Sequence, residues 1–75
     1  MRWAERKRHE FILDHIQEHA EINRSDIMRE FGVSVAQASI DLRKFQVSLP
    51  GALVYDKTSK KYVAPAYRTK ETTHD

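Results

Sequence analysis

The sequence predicts a mainly α-helical domain with a small β-hairpin, arranged as a winged helix-turn-helix of three helices and a wing. Three observations support this prediction. Two short amphipathic segments are joined by a turn at Gly32, the second of them ends at Pro50 and Gly51, and a lysine-rich alternating segment occupies residues 53–63. Such a pattern is typical of a domain that presents a helix and a basic wing to a large partner, rather than a pocket for chemistry.

Length and composition limit the function classes. With 75 residues the chain can form one domain with one modest core. It contains no cysteine, which excludes disulfides and thiolate metal ligands and fits a reducing compartment. No apolar run approaches the roughly 20 residues of a membrane span, and the first residues lack the apolar stretch of a signal peptide. We therefore expect a cytoplasmic protein without a membrane partner.

The charge is distributed unevenly along a chain that is only mildly basic. The formal net charge is +2 and the pI is about 9.1, so total charge does not by itself indicate a nucleic-acid partner. Residues 1–47 carry eight basic and eight acidic side chains, whereas residues 48–75 carry five basic and three acidic ones. The whole surplus of positive charge therefore lies in the wing and the tail.

Residues 2–20 predict one long helix, because no proline or glycine interrupts them and apolar side chains recur at helical spacing. Its core-facing side carries Ile12, Leu13, Ile16 and Ala20. A second stripe, formed by Trp3, Lys7 and Phe11, points away from that side. An exposed apolar stripe invites a partner, so we expect a dimer contact here. The alternative is that Trp3 folds locally against the tail near Tyr67.

Start and stop signals outline the next two helices. Asn23 can cap the start of helix two, where Ile22 can pack on Ile27. Gly32 provides the left-handed residue that ends this helix. Ser34 and Gln37 form a Ser-x-x-Gln capping box that opens helix three, residues 34–47.

Helical periodicity assigns the faces of these two helices. The predicted inward side chains are Ile27, Met28 and Phe31 on helix two and Val35, Ala38, Asp41, Leu42 and Phe45 on helix three. The outward side chains of helix three are Ala36, Gln37, Ile40, Arg43 and Lys44. The outward face therefore mixes amide, apolar and cationic groups.

The segment after Pro50 predicts the wing. Residues 53–55 and 62–63 have the composition of strands, and the polar loop between them carries lysines. A third short strand near Glu21 and Ile22 can pair with this hairpin. We place the domain at residues 1–64 and expect residues 65–75 to be a linker or a disordered tail, because they are polar and aperiodic.

The sequence resembles the N-terminal winged helix-turn-helix of bacterial WYL-domain transcription regulators, particularly those of phage-defence islands. The resemblance covers roughly residues 10–65 and lies in Ile-Asn-Arg-Ser-Asp at 22–26, Phe-Gly-Val-Ser at 31–34, residues 37–42, the turn at 50–51, and residues 53–56 and 61–63. More broadly it resembles the deoxyribonucleoside-operon repressor type. That type commonly has arginine at the position of Ile40, so this chain departs from it there.

The resemblance implies sequence-specific binding of double-stranded DNA by a transcription regulator that acts as a repressor. Regulators of this kind look like homodimers that bind an inverted repeat and carry a downstream ligand-sensing domain. Either this chain is an excised or truncated piece of a longer bacterial, nucleoid-associated regulator, which we favour, or it is a short stand-alone protein that senses no ligand. The resemblance implies no cofactor. Helix 34–47 would lie in the major groove and wing 53–63 on the flanking backbone or minor groove.

The outward face of helix three supplies the candidate base-reading residues. Gln37 can bond adenine through two atoms, and Ala36 and Ile40 suit the methyl groups of thymine. Ile40 alternatively packs under the wing or against a partner chain. Ser39 can reach base edges or phosphates. The expected backbone contacts come from basic and hydroxyl side chains around this face and on the wing: Arg24, Ser34, Arg43, Lys44, Lys57, Lys60 and Lys61.

Two other function classes compete with DNA binding. His15 and His19 stand four residues apart on helix one, a spacing at which two histidines can bind zinc, but neither a third ligand nor a catalytic nucleophile is identifiable. We therefore expect neither a metal site nor an enzyme. The second alternative is a winged-helix module that binds protein or RNA, because fold alone does not define the partner.

Overall fold

Four helices and three short strands make up the computed structural model, which describes residues 2–68. In chain order they are α1 (Trp3–His19), β1 (Glu21–Ile22), α2 (Arg24–Phe31), α3 (Val35–Ser48), β2 (Val54–Asp56), β3 (Lys61–Val63) and α4 (Pro65–Arg68). This architecture confirms the predicted fold class, mainly α with a small hairpin. Within these residues, no helix combines the length and the apolar character that crossing a membrane requires.

One apolar core holds the three long helices and the wing together. It contains the buried side chains of Ile12, Ile16, Ile22, Ile27, Ala38, Leu42, Phe45, Leu53 and Ala64. Each fully buried isoleucine or leucine contributes about 1.5–3 kcal/mol relative to exposure. Small Ala38 is completely buried, as expected where α2 and α3 approach closely.

Capping interactions define both ends of α2 and the start of α3. Asn23 and Asp26 form a reciprocal capping box, in which the Asp26 backbone N–H donates to Asn23 Oδ1 and the Asn23 N–H donates to Asp26 Oδ2. Gly32 ends α2 with φ of 66°, and its N–H donates to the Met28 carbonyl at 2.8 Å. Ser34 Oγ then accepts the Gln37 backbone N–H at 3.1 Å and starts α3. So short a connection makes the two helices cross.

The wing is a three-stranded antiparallel sheet with the order β1-β3-β2. The third strand predicted near Glu21 and Ile22 is confirmed, since Glu21 pairs with Val63 and Ile22 with Tyr62. On the other edge of β3, Tyr55 pairs with Tyr62. This pairing ties the wing to the segment between α1 and α2, so the wing has a defined position beside the helix-turn-helix.

Two predicted inward positions are wrong. Val35 is 50% exposed, because it is the first residue of α3 and lies on the surface beside Arg24 and Met28. Phe31 is 36% exposed at the end of α2, with its ring edge against Phe11. The predicted end of helix one near Ala20 agrees with the structure, in which Ala20 is the partly buried C-cap of α1 with a left-handed φ of 62°.

The tail prediction also needs correction at its start. Residues Pro65–Arg68 form helix α4, and Tyr67 packs partly against the core. β3 ends beside α1, so the Tyr67 ring packs on apolar surface there. The Tyr67 hydroxyl lies 3.5 Å from Gln17 Nε2. Residues 69–75, predicted as linker or tail, lie outside the described residues.

A buried ion pair joins α1 to α3. Arg8 Nε donates to Asp41 Oδ2 at 2.6 Å, and the two side chains are 14% and 1% exposed. The other carboxylate oxygen, Asp41 Oδ1, accepts from Gln37 Nε2 at 3.1 Å. Both oxygens of this buried group are therefore hydrogen-bonded, which the burial of a charge requires.

We predict that Arg8→Met lowers the free energy of unfolding by about 3–5 kcal/mol, because it leaves the buried carboxylate uncompensated. The double variant Arg8→Met/Asp41→Leu should recover most of this loss, since two apolar side chains of similar volume replace the pair. Urea unfolding followed by circular dichroism measures both changes. Arg6→Met, an exposed position on the same helix, is the control and should change stability by less than about 0.5 kcal/mol. Equal stabilities of Arg8→Met and Arg6→Met would contradict the argument.

Candidate nucleic-acid interface

The side of α3 opposite the core forms an exposed ridge. Asp41, Leu42 and Phe45 are buried on the inner side of the helix, which turns the other side to solvent. The ridge is defined by exposed residues three or four apart: Ala36, Ile40, Arg43, Lys44 and Val47. Ile40 is 42% exposed within residues 2–68, so it does not pack under the wing of its own chain.

Gln37 lies at the border between this ridge and α1. Its side chain is half-buried, and its Nε2 donates to Asp41 Oδ1. The sequence predicts Gln37 on the outward side of α3 and in a capping box with Ser34, but only the Ser34 half of that box forms, because the Gln37 side chain turns toward the carboxylate of Asp41 one turn later. One amide hydrogen and the oxygen Oε1 remain for another contact.

Arg24 and Ser39 lie together, although they come from different helices. Arg24 Nη1 donates to Ser39 Oγ at 3.4 Å, on the exposed side of the crossing between α2 and α3. Ser39 is half-buried, while Arg24 and the capping residue Ser34 are exposed. The structure therefore brings Arg24 and Ser39 together, while Ser34 caps the start of α3.

Lys44 is not an unpaired cation. Its Nζ lies 3.0 Å from Glu5 Oε2, across the gap between α3 and α1. The hydrogen bond from Lys44 and its positive charge hold the pKa of the Glu5 carboxyl below the usual value, against the opposing effect of desolvation. The carboxylate therefore stays ionised at neutral pH and offsets the charge of Lys44. In contrast, Arg43 is exposed and makes no ion pair within residues 2–68.

The wing presents two lysines at its tip. Lys57 and Lys60 are exposed in the turn between β2 and β3, and neither side chain is paired in the described part of the chain. Asp56 shapes this turn, since its carboxylate accepts from the Thr58 backbone N–H and the Ser59 hydroxyl. Lys61 differs, because its Nζ lies 3.0 Å from Glu21 Oε2 and its charge is offset.

A groove between the start of α1 and the ridge adds residues that sequence reasoning missed. It has a volume of about 460 Å³ and is lined by Arg2, Ala4, Glu5, Arg8, Gln37, Ile40 and Lys44. Arg8 stands one turn before Ile12 on the core side of α1, and Asp41 was assigned to the core side of α3. In the sequence, the Arg8–Asp41 pair is indicated only by two opposite charges on the facing sides of two helices.

The predicted dimer stripe stands on the other side of α1. Trp3 is 69% exposed, and Lys7 Nζ lies 5.7 Å from its ring centroid. Phe11 is half-buried against Phe31. The three stripe residues line one shallow groove, together with Phe31 and Val33. The alternative that Trp3 folds against Tyr67 is wrong, because Tyr67 packs near Gln17 and Trp3 remains exposed.

The histidine pair on α1 has structural contacts. The His15 and His19 rings are 4.5 Å apart, and His15 Nδ1 lies 2.9 Å from the Glu21 carbonyl oxygen. Between residues 2 and 68, the structure shows no group of three or more histidine, cysteine, aspartate or glutamate side chains arranged to hold a metal ion.

Comparison with known proteins identifies relatives of this domain. The BrxR transcriptional regulator winged helix-turn-helix domain matches residues 5–74. A DNA-binding transcriptional repressor, CapW, from Escherichia coli strain KTE188 is 41% identical over 61 residues, which are 81% of this chain and 20% of the relative. CapW of Stenotrophomonas maltophilia is 41% identical over 64 residues, 85% of this chain and 21% of the relative. CapW of Pseudomonas aeruginosa is 36% identical over 63 residues, which are 84% of this chain and 21% of the relative.

The chain thus spans about a fifth of the length of these curated relatives. The match extends over helices, turn and wing alike, from residue 5 to residue 74. It agrees with the resemblance seen in the sequence to the N-terminal winged helix of WYL-type, phage-defence regulators. The chain belongs to the BrxR family of transcriptional regulator winged helix-turn-helix domains.

Proposed function

We propose that this domain binds double-stranded DNA sequence-specifically and represses transcription, with α3 in the major groove. The observation that carries the proposal is the exposed ridge of α3, which combines apolar side chains at Ala36 and Ile40 with Arg43, a cation that makes no ion pair within residues 2–68. A helix with such a face fits the major groove, where each base pair shows a distinct pattern of donors, acceptors and methyl groups. The relatives named DNA-binding transcriptional repressors support it.

The N-terminal half of α3 would read bases. Ala36 and Ile40 suit thymine methyl groups, Gln37 retains one donor and one acceptor for an adenine edge, and Ser39 lies beside them. In this domain the apolar and amide groups precede Arg43 along the helix. Base contacts would therefore come from the first two turns of α3, and phosphate contacts from the later part.

Backbone contacts would come from cations around the ridge and on the wing. Arg24, Arg43, Lys57 and Lys60 are exposed and carry no offsetting carboxylate partner within residues 2–68, so they can neutralise phosphates directly. Ser34 can add a hydroxyl contact at the start of α3. Lys44 and Lys61 must first exchange Glu5 and Glu21 for phosphate, which lowers their contribution. The wing would lie on the flanking backbone or minor groove.

We propose further that the domain works as a homodimer on an inverted repeat. A single domain of this size covers only a few base pairs, and two copies would contact half-sites about 34–36 Å apart. The surface around Trp3, Lys7 and Phe11 supports this, because an exposed tryptophan beside a half-buried phenylalanine leaves apolar area that a second copy can cover.

We propose that the whole regulator is cytoplasmic and binds nucleoid DNA. In this scheme the winged helix binds DNA, the chain beyond α4 connects onward, and a ligand-sensing domain controls binding from beyond the matched region. No catalytic role is assigned to any residue.

Arg43→Glu should weaken binding to a selected DNA duplex at least about tenfold, because a charge-assisted phosphate contact is replaced by repulsion. Fluorescence anisotropy with a labelled duplex measures the change. Arg29→Glu makes the same charge change at an exposed site on α2 outside the ridge and should have a much smaller effect. Unchanged duplex affinity for Arg43→Glu would favour the protein-binding alternative instead.

Glu5→Gln should strengthen duplex binding by about two- to fivefold at low salt, because it releases Lys44 for phosphate. Four of the proposed phosphate contacts have no carboxylate partner within residues 2–68: Arg24, Arg43, Lys57 and Lys60. They give an expected slope of log affinity against log salt of about −3 to −4, and this variant should make the slope steeper by about one. Glu10→Gln, which removes a carboxylate paired with Lys7, is the control. Identical salt slopes for Glu5→Gln and the unaltered domain would show that Lys44 does not reach DNA.

Sedimentation should show that the domain self-associates at high concentration and that Trp3→Ala shifts the equilibrium toward monomer, because the variant removes the most exposed aromatic side chain of the stripe. Val47→Ala removes an exposed apolar side chain on α3 and should leave self-association unchanged. A monomer at every concentration, with no difference between the two variants, would remove the support for this surface.

A further inference from the structure

We propose that Arg8 and Asp41 form a positioning pair that sets the orientation of the Gln37 amide, so that Gln37 presents one acceptor and one donor to the DNA and selects adenine over guanine. The proposal rests on the proposed DNA-binding function and adds two residues to it. Neither Arg8 nor Asp41 touches a base in this scheme. They act through Gln37 alone.

The three side chains form one hydrogen-bonded chain that crosses from α1 to α3. Arg8 Nε donates to Asp41 Oδ2 at 2.6 Å, and Gln37 Nε2 donates to Asp41 Oδ1 at 3.1 Å. Gln37 and Asp41 stand one turn apart on α3, so the contact between them is local. Asp41 is 1% exposed, whereas Gln37 extends to the half-buried border of the ridge. The buried end of the chain is therefore held, and its outer end is accessible.

The chemistry of the carboxylate dictates which end of the amide faces inward. An ionised carboxylate only accepts hydrogen bonds, and the guanidinium only donates them. Asp41 accepts from Arg8 through Oδ2 and from Gln37 Nε2 through Oδ1, so the Gln37 NH₂ group faces Asp41 and the oxygen Oε1 turns away. One hydrogen of the NH₂ group bonds Asp41, which leaves the other hydrogen beside Oε1 for a ligand.

This free edge matches one base better than the others. Adenine shows the N6 amino donor beside the N7 acceptor in the major groove, which complements Oε1 and the free amide hydrogen. Guanine shows two acceptors, O6 and N7, so Oε1 would face another oxygen. Gln37 is the third residue of α3, in the N-terminal turn that contacts base edges in helix-turn-helix domains. A Gln37 released from Asp41 could rotate and accommodate either purine.

The Asp41→Asn variant tests the orientation directly. Arg8 only donates, so it should hold the oxygen of the new amide and turn the NH₂ group at position 41 toward Gln37. Gln37 must then turn Oε1 inward and present hydrogens to the groove, which suits guanine. Gln37→Ala first identifies the base pair that Gln37 reads, because changing that base pair no longer alters the affinity of this variant. The experiment then compares affinities for two duplexes that differ only at that base pair. The unaltered domain should prefer adenine by about 5- to 150-fold, and Asp41→Asn should lose or reverse this preference.

A second variant covers the case in which Asp41→Asn does not fold. Arg8→Met/Asp41→Leu removes the pair while keeping the volume apolar, and thermal unfolding reports whether its fold is intact. Its adenine preference should fall to near one, and adding Gln37→Ala should change it no further. Glu18→Gln, at an exposed position near the end of α1 and outside both the ridge and the dimer stripe, should keep the full preference.

Two results would overturn the proposal. One is an unchanged adenine preference in a folded Asp41→Asn or double variant, because Gln37 would then read the base without the pair. The other is an unchanged preference in Gln37→Ala, because Gln37 would then read no base. If the unaltered domain binds no duplex in the first titration, the proposed function itself is contradicted. That outcome is distinct from the two results above, which require binding by the unaltered domain.

Discussion

The hydrogen-bonded carboxylate of Asp41 is the constraint on which the arrangement of this domain depends. It is buried between α1 and α3, and both of its oxygens have partners, Arg8 from one helix and Gln37 from the other. A buried ion pair contributes little net stability compared with an apolar pair, but losing one partner is costly. In our account the pair favours the packing of α1 against α3 that gives both carboxylate oxygens a partner. Asp41, Leu42 and Phe45 are then buried, and the opposite side of α3 is exposed.

Carboxylates offset some of the cations around the exposed ridge and on the wing, but not others. Glu5 offsets Lys44 and Glu21 offsets Lys61, whereas Arg43, Lys57 and Lys60 keep their full charge within the described residues. In our proposal, strong non-specific attraction to phosphates would mask base discrimination, because it acts on every sequence equally. The ridge has apolar groups, the Gln37 amide at its border and, within residues 2–68, one cation without an ion pair, Arg43. This composition suits a domain that depends on base contacts and on a second copy.

Local signals made most of the fold predictable from sequence. Asn23, Gly32, Ser34 and Pro50 mark helix ends by chemistry that acts within a few residues, so those boundaries lie where expected. Periodicity placed Asp41 and Leu42 inward but misplaced Val35, since a first-turn residue can project past the neighbouring helix. Pairings between distant residues, such as Lys44 with Glu5, depend on how helices cross, which no local pattern records. The candidate base-reading and phosphate-contacting residues remain predictions.

Selection of binding sites from random duplexes at one fixed salt concentration tests the central claim, that the ridge of α3 reads DNA sequence, most directly. The account predicts enrichment of an inverted repeat with half-sites centred about 10–10.5 base pairs apart, which is one turn of the duplex. It also predicts adenine at a defined position in each half-site. A selected pool that remains as random as the starting pool would contradict the claim.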